Sequence, residues 1–392
     1  MASSAEPAGR PRTIAIVAGE ASGDLLGSQL ILALREHLPA LNVVGIGGPR
    51  MEAAGMDVWF PLEKLAVRGY FEVLRHYFEI VEIRRKLRRR LLKIRPDVFI
   101  GIDAPDFNLD LERGLKARGI PTVHYVSPAI WMWRRERLGK IKRAVSRMLT
   151  LFPFEEEIYR DAGVDVAFVG HPLADMLDQI PRDDAARDQL RLPPASPVVA
   201  LLPGSRQSEL KYMADLFIRT AKLIHARLPH AVFLVPLTTR ETRVMFETAL
   251  YHNDAEELPL TIMFGHAQDA MAAADVVLVA SGTATLEAAL LCKPMVITYK
   301  MPPATYWLLQ GKGYLPYYGL PNILAREFVV PEFIQDDATP QNLSQALLNL
   351  LADVATRDRI AARFATMSAS LHRGAARQAA LAVLPMLPML PD

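Results

Sequence analysis

The chain of 392 residues carries a single cysteine, Cys292, which excludes an internal disulfide and suits a reducing compartment. It has almost no net charge: 45 Lys and Arg against 43 Asp and Glu leave +2. No field of one sign therefore draws nucleic acid as the main partner. No apolar run approaches the roughly 18 residues that a membrane span needs. The polar opening, Met1 to Arg12, lacks the apolar segment of a signal peptide. A cytoplasmic protein is expected, surface-bound at most. No Cys/His cluster or HEXXH-like motif suggests a metal, and no GxGxxG follows a predicted strand, so the dinucleotide fingerprint is missing too.

Apolar residues are abundant: 51% of the chain is hydrophobic and 22% charged, enough to bury large cores. At roughly 150 residues per domain, two domains are expected. The chain is organised around Asp275–Lys300. Val276–Ala280 is an apolar run too short for a helix, which predicts a buried strand. Ser281-Gly282-Thr283 is a small-residue turn, Thr283–Cys292 an Ala- and Leu-rich helix, and Met295–Tyr299 the next strand. A helix opening at such a loop points free N–H groups and partial positive charge at solvent, a seat for a diphosphate. Glu287 follows Thr283 by one turn on the same face, where it can accept hydrogen bonds from a ribose. The plainer alternative is a capped helix with an ordinary exposed Glu.

The same strand–loop–helix grammar recurs. A strand ending at Ala18 runs into Gly19-Glu20-Ala21-Ser22-Gly23-Asp24, one ending at Ile102 into Asp103-Ala104-Pro105-Asp106, and one ending at Val169 into Gly170-His171-Pro172. About six such alternations imply a mostly parallel, doubly wound sheet. The polar, Pro-rich stretch Asp178–Pro197 marks a boundary. Alternation then restarts with strand Val198–Leu202 and loop Pro203-Gly204-Ser205-Arg206. The expected domains are 1–177, with C-terminal helices over about 365–392 packing back on it, and 178–364. The expected class is α/β of GT-B type: two Rossmann-like, doubly wound domains facing an interdomain cleft, with ligands at the carboxyl ends of the strands. Leu62–Leu92 is amphipathic, with Val67, Tyr70, Phe71 and Leu74 in its apolar half and a basic run from Arg84 to Arg95 behind. It reads either as a core helix with a solvated charged face or as a surface for anionic lipid.

Eight motifs in register carry a resemblance. They are VAGEASGD (Val17–Asp24), GPRM (Gly48–Met51), PDVFIGIDAPDFN (Pro96–Asn108), HYVSPAIWMWR (His124–Arg134), VGHPLAD (Val169–Asp175), LLPGSR (Leu201–Arg206), ASGTATLE (Ala280–Glu287) and LPNILA (Leu320–Ala325). Together they make the chain similar, from about Arg12 to Leu350, to the lipid-A-disaccharide synthase family, inverting glycosyltransferases of Gram-negative lipid A biosynthesis. The resemblance implies that UDP-2,3-diacylglucosamine donates its sugar to 2,3-diacylglucosamine 1-phosphate (lipid X). The products are the β-1,6-linked lipid A disaccharide 1-phosphate and UDP. It implies no metal or other cofactor, and a monomer or homodimer working at the inner-membrane surface. Arg68, Gly319 and Gln207-Ser208 depart from the family pattern, where an apolar residue, a Ser and small residues are typical.

Inverting transfer needs a base for the acceptor hydroxyl and a group to carry the diphosphate's developing charge. Asp103, just past a strand end, matches the family's base, with Asp106 in reserve; helix capping is the alternative for one of them. Glu20 and Ser22 are expected on the acceptor or sugar side, as is His171, for which a structural role is an equal alternative. For the leaving group, Arg206 offers a bidentate guanidinium presented through Gly204 and Ser205. Ser281, Gly282 and Thr283 supply helix-start N–H groups, and Glu287 holds the ribose. Asn322 is expected to contact the donor or fix a loop, and Trp131 and Trp133 to pack. The rival readings are a UDP-sugar epimerase or other UDP-GlcNAc transferase, and a non-catalytic lipid- or nucleotide-binding protein of the same fold.

Overall fold

A computed structural model describes residues 11–65, 70–132, 135–302, 306 and 315–388, without the side chains of 70–77. The chain forms two compact units, Met1–Pro172 with Leu371–Asp392, and Leu173–Ser370.

The first unit is built on seven parallel strands: β1 Thr13–Ala18, β2 Asn42–Gly47, β3 Met56–Pro61, β4 Val98–Ile102, β5 Thr122–Tyr125, β6 Arg147–Thr150 and β7 Val166–Phe168. Their order is β3-β2-β1-β4-β5-β6-β7. The central β4 is buried along its whole length, as a parallel strand covered on both faces must be. Ala15, Val17, Val44, Ile46 and Phe99 pack under Phe107, Leu111 and Leu115 of the helix Pro105–Lys116. Ile83, Leu87 and Leu91, spaced four apart on the helix Tyr70–Ile94, join the same core. The basic half of that helix is thus a core helix with a charged outer face. Val67 and Arg68 lie outside the described residues, as do Trp133 and the side chains of Tyr70, Phe71 and Leu74. The helix Ala375–Val383 packs on the helix Ala21–His37.

The second unit has six parallel strands: β8 Val198–Leu202, β9 Val232–Leu237, β10 Leu260–Phe264, β11 Val276–Ala280, β12 Met295–Tyr299 and β13 Glu332–Ile334. Their order is β10-β9-β8-β11-β12-β13. The polar stretch after Asp178 is tied into this unit by Lys293 on Asp183 at 2.6 Å and Arg187 on Asp275 at 2.7 Å.

Strand order reverses once in each sheet, between β1 and β4 and between β8 and β11. Chains leaving neighbouring strands there turn to opposite faces and leave a crevice at the carboxyl edge. The loops carrying Glu20 and Asp103 flank the first of these points. Those carrying Arg206 and Ser281 flank the second.

Candidate functional site

At the first switch point the two loops touch: a Cβ on Gly19 would lie 2.9 Å from that of Ala104. Asp103 and Ala104 both adopt left-handed backbone, with φ of +50° and +43°. Val126, at the end of neighbouring β5, has φ +80°, an outlier for a β-branched residue. Three non-glycine residues held in sparsely populated conformations at adjacent strand ends are the kind of strain that collects at functional sites.

Asp103 donates its backbone N–H to Tyr125 at 2.9 Å, and its own carbonyl accepts the Asn108 amide at 2.8 Å. Its carboxylate, part-exposed, has no hydrogen-bond or ion-pair partner among the described residues. Asp106 is exposed and engaged by Arg137 at 3.2 Å. Neither caps the helix that follows. Glu20 is the N-cap residue of the helix Ala21–His37 but makes no cap bond, and it and Ser22 stay exposed at the edge. His171 is 9% exposed, with its ring 5.3 Å from that of Phe152. Burial pushes its pKa down to about 4, so it is neutral at pH 7.

At the second switch point two helices begin, and their starts differ. The helix Gln207–Arg227 is closed by its own third residue: Glu209 accepts the Ser205 N–H at 2.8 Å and the Arg206 N–H at 3.2 Å. Gly204, at φ +124°, makes room for it, since a Cβ there would stand 2.6 Å from the carboxylate. The Ser205 and Arg206 N–H groups are therefore already taken by Glu209. Arg206 itself projects, with its side chain 79% exposed and Nη1 3.6 Å from Glu209. The helix Thr283–Leu290 begins at Gly282 with no side-chain cap, leaving its first N–H groups for a ligand. One turn on, the Glu287 carboxyl is half-buried, pushed upward by desolvation, and has no partner among the described residues. The Ser281 hydroxyl is used, donating to the Tyr318 carbonyl at 3.0 Å.

Of the two roles expected for Asn322, donor contact or loop fixing, its bonds support the second. Its side chain is fully buried. Nδ2 donates to Val330 and Glu332, both at 2.8 Å, and Oδ1 accepts from Val329 at 2.9 Å and Val330 at 3.1 Å. An amide with every good bond made inside the protein has nothing left for a donor sugar; it fixes the loop. Glu332 in turn accepts the N–H groups of Tyr318 and Gly319, at 2.8 and 2.9 Å, so the Asn322 loop supports the segment that holds Ser281.

Several residues carry structural weight that sequence reasoning missed. Asp24, in the first motif, is buried and accepts backbone N–H groups from Gly48, Arg50 and Met51 at 2.8, 3.0 and 3.1 Å. Glu155 accepts the Phe152 N–H at 3.1 Å beside Ser127 and Tyr159, whose hydroxyls lie 2.8 Å apart. Burial raises its pKa to about 7, against hydrogen bonds from Phe152, Ser127 and Trp131. Glu209, three residues after the N-cap Arg206, was the one with a legible signal, the acidic half of a capping box. Among the described residues no group of three His, Cys, Asp or Glu could hold a metal, and no helix is long and apolar enough to cross a membrane.

A family model described as lipid-A-disaccharide synthetase matches residues 14–384. A lipid-A-disaccharide synthase of Methylobacillus flagellatus is 59% identical over 372 residues, covering 95% of this chain and 98% of the relative. One of Dechloromonas aromatica is 55% identical over 375 residues, covering 95% and 98%. Among solved structures, a UDP-GlcNAc 2-epimerase from Neisseria meningitidis bound to UDP-GlcNAc superposes with a TM-score of 0.64 at 12% identity, covering 95% of this chain and all 100% of that one. Acinetobacter baumannii MurG superposes at 0.58 and 13%, covering 96% and 100%. The fold is thus that of the GT-B enzymes, two Rossmann-like domains on parallel sheets.

Proposed function

The chain belongs to the lipid-A-disaccharide synthase family, and on that premise we propose that it joins UDP-2,3-diacylglucosamine to lipid X. Membership makes it a glycosyltransferase of lipid A disaccharide synthesis; the substrates, the inversion and the roles below are the proposal. The Asp103 carboxylate takes the proton of the acceptor hydroxyl as that oxygen bonds to the donor's anomeric carbon. The bond from that carbon to the diphosphate breaks, and UDP departs. The Arg206 guanidinium and the opening N–H groups of the Thr283 helix take up its charge, and Glu287 accepts from the ribose hydroxyls. No metal is needed in this scheme.

What carries the assignment is the uncapped start of the Thr283 helix, with Glu287, unpartnered among the described residues, one turn on. The Asp103 carboxylate, without a partner among the described residues, against an Asp106 occupied by Arg137, favours the former as base. Both substrates carry acyl chains, and peripheral attachment to the inner membrane through Val67, Tyr70, Phe71 and Leu74 belongs to the same proposal. Replacing the last three with Ser should release the protein from anionic liposomes.

The test is incubation of the purified protein with both substrates and EDTA, following UDP and disaccharide 1-phosphate by mass spectrometry. Asp103→Ala should lower kcat on the order of 10²–10⁴-fold, as for a lost general base. Arg206→Ala should lower it on the order of 10²–10³-fold, as for a lost oxyanion donor. Undiminished turnover in either folded variant removes that residue from the scheme. UDP release without disaccharide points to a different acceptor.

A further inference from the structure

We propose that Asn108 is a positioning residue for the reaction, holding Asp103 in the strained conformation that presents its carboxylate. The inference rests on the reading of Asp103 as the base. Asn108 sits in the second turn of the helix Pro105–Lys116 and is fully buried. Burying a polar side chain is costly unless it is hydrogen-bonded; here Oδ1 has no partner among the described residues, and the bonding falls to Nδ2 alone. Nδ2 lies 2.8 Å from the Asp103 carbonyl, 3.4 Å from that of Ile102 and 3.5 Å from that of Val17. These carbonyls lie at the carboxyl ends of β1 and β4, the two strands that meet at the switch point.

The chain needs holding here. With Asp103 at φ +50° and Ala104 at +43°, two successive L-residues occupy a region that only glycine visits freely. A relaxed backbone would rotate the Asp103 peptide and swing its carboxylate away. Pro105 fixes the far side of the pair, and the Ala104 carbonyl is held by the Phe107 and Asn108 N–H groups, both at 3.0 Å. The Asn108 amide holds the near side. It therefore acts on the base through the base's own carbonyl, without touching substrate. Gly101, one residue before Ile102, leaves the needed space: a Cβ there would stand 2.9 Å from that of Asn108.

The test compares Asn108→Ala and Asn108→Ser with Asp103→Ala in the full-length protein. It measures kcat, donor and acceptor KM, the pH dependence of kcat, the melting temperature and the affinity for UDP. The expected result for Asn108→Ala is a kcat lowered roughly 10²-fold, the scale of a misplaced reacting group. KM for the donor and the affinity for UDP should stay within twofold, and the limb of the pH profile that reports the base should move. Asn108→Ser, which restores one short donor, should recover part of kcat. The proposal is overturned if Asn108→Ala, still folded, keeps kcat and its pH profile within twofold. It is equally overturned if both variants lose UDP binding or fail to fold, since Asn108 then serves stability alone. If Asp103→Ala itself retains full turnover, the reading of the base fails, and this outcome is distinct from either of the others.

Discussion

Glu209 and Ser205 are locked together: the carboxylate accepts the Ser205 N–H at 2.8 Å, and its other oxygen stands 3.6 Å from the Arg206 guanidinium. One acidic side chain both closes the Gln207 helix and steadies the loop from which Arg206 projects. Glu209→Ala should therefore weaken UDP binding through Arg206, by roughly the 1 kcal/mol of a lost capping interaction, or about fivefold. In an Arg206→Ala background the same change should add little, because the two act as one unit. Calorimetric titration of UDP into the four members of this cycle checks it. Tighter binding on removing Glu209 would instead make the carboxylate a competitor for the phosphate seat.

Asp24 binds the second motif to the first. Its carboxylate accepts three backbone N–H groups around the start of the short helix Pro49–Ala53, and bonds to a charged acceptor are the stronger kind. Asp24→Ala leaves those donors buried and unmet, which costs about 3 kcal/mol. At about 2–4 °C per kcal/mol the first unit should melt about 6–12 °C lower. UDP affinity, assigned to the second unit, should hold. A melting temperature within 2 °C of the parent would show the N–H groups finding other partners at no cost.

Asp24 and Asn322 show where sequence reading stops. Periodicity encodes which residues face a core, so β1, β4, β8 and β11 and the loops after them were legible. What it does not encode is which polar group will be buried against a backbone many residues away. Asn322 in its motif read as either a donor contact or a loop brace; the acceptors and donors that decide for the brace lie at 329–332. Asp24, spent on Gly48–Met51, offered no local sign at all. The missed strands, β3 and β13, lie at sheet edges and are mostly half-buried, so they lack the continuous apolar run of a central parallel strand. The basic run at Arg84–Arg95 hid the stripe that Ile83 opens and Leu87 and Leu91 continue within it.

Gly319, which departs from the Ser expected from the family resemblance, packs against Ile297. A Cβ at 319 would stand 2.3 Å from the Ile297 Cδ1, a buried methyl of β12. Gly319→Ser should destabilise the second unit by about 1–3 kcal/mol through overpacking. Ile297→Val, which deletes the offending methyl, should restore most of that loss in the double variant while costing about 1 kcal/mol alone. Thermal unfolding of the three variants measures the coupling. Simple additivity would mean that the loop shifts instead of the side chain clashing.

Glu155 and His171, which both flank Phe152, should give the first unit opposing pH dependences. Burial holds the Glu155 pKa at about 7 against an ordinary 4.5, so the folded state keeps a proton that the unfolded chain has lost. Its contribution is complete below pH 4.5 and fades as the pH rises through 7. Burial holds His171 at about 4 against an ordinary 6.5. Its contribution is present above pH 6.5 and lost as the pH falls through 4. Between those limits the slopes have opposite signs and similar size, up to about 1.4 kcal/mol per pH unit each, and largely cancel in the parent. Glu155→Gln should unmask the histidine: relative to the parent, its unfolding free energy should climb by roughly 1 kcal/mol per unit from pH 5 to 7. His171→Asn should show the reverse, falling relative to the parent over pH 4.5 to 6.5. Denaturant titrations at half-unit pH intervals read both differences, and other titrating groups drop out of each comparison. Two flat difference curves would mean that neither side chain is held in the state its burial implies.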